Sequence, residues 1–443
     1  MNPTHKKYFF LLLLHSILGA IIFGFPILSK IYGILILVTG ISFIIKNKNQ
    51  HNEVLYASAY IVGAEVFLRM TYGNPVYEFG KYGVILFSLL GLHYSGISKK
   101  TWPYGLVLLL LIPGIFIASK NLSTPIFEKI VFDISGPVCL IICSLYTCGK
   151  RINVDEMHSI LLSMGLPIIS CCVYLFLYSP AIKDIHFSTE ASFIMSGNFG
   201  PNQVATALGL GIFVFFSRLI YKSPTVFTFT INLLITSYIC YRGILTFARG
   251  GMITSLIMVL VLMILVFLNF KTHTGMRLRP KMAFVFVTIT SIVLLTSYQS
   301  GGYINKRYAN EDNIGRERKH LVTGRLKLAV GEIMMFAENP IFGIGAGMGK
   351  ETRTKKMGRK ISTHNEMARM LAEHGSLGLI ALLILIVTPI LLYANSDSNV
   401  YFFLFFLFWV LTINHTGMRT AAPSFMYALA LLNINWKSNV PEL

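Results

Sequence analysis

"GGMITSLIMVLVLMILVFLNF", residues 250–270, carries no charged side chain over twenty-one positions. A helix of that length is about 30 Å long, the thickness of a bilayer's hydrocarbon core. A soluble domain has no use for such a segment, and it is not alone. "YGLVLLLLIPGIFIA" (104–118) and "GSLGLIALLILIVTPILLY" (375–393) repeat the pattern on either side of it. Working outward, apolar segments centre near residues 16, 36, 62, 88, 111, 138, 167, 209, 233, 260, 290, 384, 407 and 428. Residues 400–436 read as one span or two. The predicted fold class is therefore an all-α polytopic membrane protein with about 12–14 transmembrane helices.

Composition agrees. The chain of 443 residues is 54% hydrophobic and 13% charged, against about a quarter charged in a soluble domain. The net charge of +19 would suit a nucleic-acid binder, but many of the basic residues sit in short loops between apolar runs. Lys6, Lys7, Lys46, Lys48, Lys99, Lys100, Lys150, Arg151, Arg218, Lys222 and the 271–281 cluster lie in alternate loops, which by the positive-inside rule face the cytoplasm. Both termini are then cytoplasmic and nucleic acid is excluded as a partner; membrane lipids take its place. The stretch "MNPTHKKYFFLLLLHSILGAIIFGFPIL" resembles a signal peptide without a small-x-small cleavage site, so it is read as an uncleaved first span. All six cysteines lie in or beside apolar runs without Cys-x-x-Cys spacing, as buried small hydrophobes do.

Four regions follow: N-terminal spans over 1–190, further spans over 191–298, one long external loop over 299–374 containing short helices, and C-terminal spans over 375–443. The chemistry-capable residues gather around that loop. Thr363-His364-Asn365-Glu366 fits a capping box, with Thr363 as N-cap and Glu366 reaching back to it. His364 would then open a helix running into the span at 375–393, where the positive helix end favours a neutral imidazole able to act as a general base. An ordinary loop histidine is the alternative, and the same plain reading applies to His374 near the membrane surface. Arg242 and Arg249, seven residues apart, would share one helix face, either snorkelling to headgroups or holding a phosphate. Residues 324–338 form an amphipathic helix stopped by Asn339-Pro340. "GIGAGMG" (343–349) reads as a turn whose N–H groups can approach an anion, and the basic run 350–360 as a lipid- or glycan-facing loop or a solvated one. Glu65 and Arg69 are spaced for an ion pair inside a span. Asn202, Asn365, Glu366, His415 and Arg419 are accessory candidates. No spacing suits a metal site or a hydrolase's paired acids, so neither metal nor cofactor is expected.

"GNFGPNQVA", "LTFARGG", "TGRLKLAVGEIMMFAENPIFGIGAG" and "HNEMARMLAEHGSLG", in that order, resemble the O-antigen ligase and Wzy-type polymerase superfamily. That family carries a Gly…Pro-Asn-x-x-Ala element, a Ser-Arg-Gly helix start, a Gly-Arg helix followed by Pro-x-x-Gly-x-Gly, and a His-Asn…Glu-x-Gly-x-x-Gly element. The likeness covers about the last 240 residues, beyond which only hydropathy speaks. Ala248 stands where the family has Ser, and no Trp follows Arg325 at the family's distance. The resemblance implies an inner-membrane glycosyltransferase that needs no metal. It would move a glycan from an undecaprenyl-diphosphate-linked donor to an acceptor sugar hydroxyl on the periplasmic face, with inversion. Arg249 matches the helix-start arginine, Arg325 the loop arginine and His364 the loop histidine. Arg249 and Arg325, with Arg242, would stabilise the departing diphosphate, and His364 would take the hydroxyl proton. The acceptor is lipid A-core for a ligase and another repeat unit for a polymerase. A lipid-linked glycan flippase is the rival from another class, and would show midplane charges and an internal repeat.

Overall fold

The computed structural model of the protein describes residues 3–121, 126–185, 187–269, 272–317, 319–357, 365–396 and 399–435. Helices dominate. The chain runs through α1 (Pro3–Gly24), α2 (Ile27–Asn47), α3 (Glu53–Met70), α4 (Phe79–Ser95), α5 (Trp102–Asn121) and α6 (Ile126–Thr147). It continues through α7 (Val154–Tyr178), α8 (Pro201–Tyr221), α9 (Val226–Leu245), α10 (Arg249–Asn269) and α11 (Thr272–Gln299). Three further helices follow: α12 (Tyr303–Tyr308), α13 (Lys319–Glu338) and α14 (Gly349–Met357). The last three are α15 (Glu366–Ser396), α16 (Phe402–Ile413) and α17 (Ala421–Ala430).

Every apolar centre read from the sequence falls inside one of these helices. Among the described residues, nine are long and apolar enough to cross a bilayer, so the protein is an all-α polytopic membrane protein. Several of the others fall short for visible reasons. α3 carries Glu53, Glu65 and Arg69, and α4 has 17 residues. The 400–436 region resolves into two helices of 12 and 10 residues, each under about 20 Å long and so unable to span alone.

The chain forms two compact units. The first comprises Met1–Gly40, Leu55–Tyr77 and Asp155–Arg318. Its centre is α8, which packs on α9 and α10. A Cβ on Gly251 would lie 2.4 Å from the Ala205 carbonyl carbon, and one on Gly209 would lie 2.7 Å from the Gly251 oxygen. The two helices therefore cross in backbone contact, as small residues allow in membranes. Glu65 and Arg69 pair at 2.7 Å, both buried, with the guanidinium 4.7 Å from the Tyr77 ring centre.

The second unit comprises Ile41–Val54, Glu78–Val154 and Lys319–Leu443. Its core is aromatic and aliphatic, built from Tyr104, Leu111, Leu140, Leu385, Trp409 and Tyr427 among others. The buried Tyr427 hydroxyl donates to the Leu385 carbonyl (2.8 Å) and lies 3.2 Å from the Tyr104 hydroxyl. Two short parallel strands, β1 (Arg151–Asn153) and β2 (Asn433–Asn435), close one end with Arg151 opposite Asn433.

One break in α15 shapes the region around the loop motifs. Gly375 adopts φ 63°, ψ −142°, which interrupts the helical ladder and orphans carbonyls that must find partners elsewhere. The "GIGAGMG" turn supplies them: Ile344 N–H donates to Ala372 O (2.9 Å) and Gly345 N–H to Glu373 O (3.1 Å). On the other side, Ser376 N–H donates to Pro340 O at 2.7 Å. A Cβ on Gly375 would lie 2.6 Å from both Gly343 N and Ile341 O, and one on Gly378 would lie 2.1 Å from Met370 O. The Gly-x-x-Gly spacing thus serves a bend and a close approach. Gly375→Ala is expected to lower stability by about 3 kcal/mol, from positive-φ strain plus overlap. Thermal unfolding in detergent checks it, and an unchanged midpoint would count against the bend's role.

Candidate active site

The second unit carries the loop-motif residues. His364 and Thr363 lie outside the described residues, as does the side chain of Arg325, whose position falls in the second turn of α13. α15 begins at Glu366, and Asn365 is its cap, its Oδ1 accepting the Ala368 N–H at 3.1 Å. This corrects the capping-box expectation. The box needs Glu366 at the third helical position, and it occupies the first. An Asn whose side-chain oxygen takes the Ala368 N–H caps the helix at that point.

Released from the box, Glu366 turns to Arg369. The Arg369 guanidinium, 8% exposed, bonds Glu366 through Nη2 and through Nε (3.2 Å), and reaches Glu373 Oε2 at 2.9 Å, Asp133 Oδ1 at 3.3 Å and the Asp133 carbonyl at 2.9 Å. Glu373 also accepts N–H bonds from Gly347 (3.0 Å) and Gly349 (3.3 Å). The glycine turn does meet an anion, then, and the anion is the chain's own carboxylate. Gly343, Gly345 and Gly347 all have positive φ, which is what lets successive N–H groups converge. His374 is buried rather than superficial, packed so that a Cβ on Gly114 would meet its Nδ1 at 2.4 Å.

The basic run is not uniformly solvated. Arg353 pairs with Glu332 at 2.6 Å, both buried, joining α14 to α13. Glu351 takes Lys129 at 3.2 Å, which holds its carboxyl below the usual range. Residues 358–360 lie outside the described residues. The turn bearing His415 and Arg419 lies against the start of α15, since a Cβ on Gly417 would be 3.2 Å from Glu366 Oε2. Both side chains are half-buried, and His415 Nδ1 sits 2.9 Å from Leu411 O.

The first unit carries the other arginines. Arg242 and Arg249 do not share a helix face, because α9 ends at Leu245 and α10 begins at Arg249. The break is made by Thr246, whose hydroxyl bonds Gly243 O (2.6 Å) and accepts the Ala248 N–H (3.2 Å), and by Phe247 at φ 56°. Hydroxyl-to-backbone bonds of this kind compete with the helical ladder. Arg242 is 4% exposed and turns inward rather than snorkelling. Its Nη2 donates to Leu175 O (3.1 Å), Ser179 Oγ (2.5 Å) and Met195 O (3.3 Å). Arg249 is half-buried, with Nη1 on Arg307 O (3.0 Å) and Nη2 near Asn310 Oδ1 (3.4 Å). Asn202 lies in the first turn of α8, behind Pro201, and its carbonyl takes the Thr206 hydroxyl at 2.7 Å.

Residues 231–384 match the family model for O-antigen ligase (Wzy_C). The match supports the resemblance to the O-antigen ligase and Wzy-type superfamily, and with it a glycosyltransferase-like enzyme of ligase or polymerase type. It runs from α9 into α15 and takes in Arg242, Arg249, Arg325, His364, Arg369 and Glu373, while Asn202, His415 and Arg419 fall outside it. No curated protein matches the chain. Sequence reasoning passed over Arg369, although its i−3 and i+4 spacing to Glu366 and Glu373 was readable. Asp133 and Arg307 gave no local signal, since their partners are more than fifty residues away.

Proposed function

We propose that the protein transfers a glycan from an undecaprenyl-diphosphate-linked donor to an acceptor sugar hydroxyl at the periplasmic face of a bacterial inner membrane, in the manner of an O-antigen ligase. The observation that carries this is the family match itself, because the matched segment holds the three residues that the resemblance assigns to chemistry. In this reading His364 accepts the proton of the acceptor hydroxyl as its oxygen attacks the anomeric carbon. The bond from that carbon to the diphosphate breaks, the configuration inverts, and undecaprenyl diphosphate leaves. Arg249 and Arg325 offset the charge that develops on the departing diphosphate, usually a large contribution to such catalysis. The positive-inside pattern supports cytoplasmic termini and an external 299–374 loop in this reading.

The test is a gel of envelope glycolipids from a deletion strain carrying wild type or His364→Ala. Loss of long-chain glycan from lipid A, with polymer still on its lipid carrier, supports the ligase. Lipid A capped by a single repeat unit instead identifies a Wzy-type polymerase. Unchanged glycans in the deletion strain would dismiss both, and would return attention to a lipid-linked glycan flippase.

A further inference from the structure

Arg307 is the residue on which the geometry around Arg249 converges. It sits on α12, the short helix that follows α11, in a stretch where sequence motifs point to nothing. Its Nε donates to the Phe247 carbonyl at 3.0 Å and its Nη1 to the Thr189 carbonyl at 2.9 Å, while its own carbonyl receives Arg249 Nη1 at 3.0 Å. Phe247 is the buried residue at φ 56° that separates α9 from α10. A bulky side chain at positive φ costs free energy and persists only where surrounding contacts over-determine it. Here those contacts are the Phe187 ring, 5.5 Å away and stacked, and the Arg307 Nε–H on the Phe247 carbonyl. That turn decides where α10 begins, and α10 begins at Arg249. Asn310, two residues beyond α12 and itself at φ 65°, brings a further acceptor to the Arg249 guanidinium.

We infer that Arg307 is a positioning residue for Arg249: its side chain locks the Phe247 turn and its backbone carbonyl orients the Arg249 guanidinium toward the anionic group that Arg249 binds. The inference rests on the reading of Arg249 as a ligand of the donor's diphosphate. Lysine keeps the charge of Arg307 but cannot donate in two fixed directions at once, so Arg307→Lys separates positioning from charge alone.

The experiment measures binding of undecaprenyl diphosphate to the purified full chain in detergent, for wild type, Arg249→Ala, Arg307→Lys, Arg307→Gln and the double variant Arg249→Ala/Arg307→Lys. Only monodisperse protein with an unchanged unfolding midpoint is scored. Arg249→Ala and Arg307→Lys are each expected to weaken binding about tenfold or more, as loss of a charge-assisted hydrogen bond does. The double variant should bind no worse than Arg249→Ala within a factor of about two, because a residue acting through another is non-additive with it. Wild-type affinity in Arg307→Lys, with Arg249→Ala weakened, overturns the positioning role and leaves the diphosphate reading standing. Wild-type affinity in Arg249→Ala overturns the diphosphate reading and this inference with it. If neither Arg307 variant folds, Asn310→Ala carries the test. It removes an acceptor of Arg249 without touching the Arg307 fork, so several-fold weaker binding supports positioning by this segment and unchanged binding overturns it.

Discussion

His364→Ala is expected to cut glycan transfer by about a hundredfold to ten-thousandfold, the span that loss of a positioned general base covers. Protein level and unfolding temperature should stay at wild-type values. The second expectation follows from the start of α15: the cap is Asn365, whose side chain already takes the Ala368 N–H, so removing the imidazole costs the helix nothing at that position. Asn365→Ala should behave in the opposite sense and destabilise by about 1 kcal/mol through loss of the cap. Arg325→Ala is expected to lower transfer by about a hundredfold or more if its charge stabilises the departing diphosphate. Initial rates with isolated lipid-linked donor, set beside unfolding midpoints for the same preparations, check all three. Near-wild-type transfer by both His364→Ala and Arg325→Ala would refute the mechanism.

The membrane helices were legible because spanning a bilayer leaves one solution for an apolar segment of that length. Each centre from residue 16 to residue 428 falls in a helix for that reason, and Asn339-Pro340 ends α13 at Glu338 because proline cannot continue it. The Glu65–Arg69 pair was legible because i,i+4 spacing is local. What escaped is held by contacts far apart in the chain. Nothing in "LTFARGG" contains a proline or a glycine before Arg249, so it reads as continuous helix. The break depends on Thr246 and on an arginine sixty residues downstream, at position 307. The anion on the glycine turn could be foreseen as a class but not as Glu373, because only the bend at Gly375 brings that carboxylate to Gly347 and Gly349.

Arg369→Met should be the most destabilising single change in the second unit, by about 3–5 kcal/mol, the usual cost of stripping the counter-charge from a buried ionic cluster. The guanidinium pairs with Asp133, Glu366 and Glu373. Lys81 and Arg353 also act electrostatically on Asp133, but each is paired elsewhere, Lys81 with Glu78 at 2.7 Å and Arg353 with Glu332 at 2.6 Å. Arg369→Lys should fall between wild type and Arg369→Met, because an ammonium keeps the charge but cannot fork to three carboxylates. Neutralising the carboxylates gives the sharper test. If electrostatic imbalance is the cause, adding Glu366→Gln and Glu373→Gln to Arg369→Met should recover part of the loss, whereas simple loss of packing would make the triple variant worse. Unfolding midpoints of the single and triple variants in one detergent decide between them. The outcome bears on chemistry too, because Glu366 and Arg369 form the first turn of the helix that His364 precedes, and a loosened first turn would lower transfer without removing any group that meets the substrate.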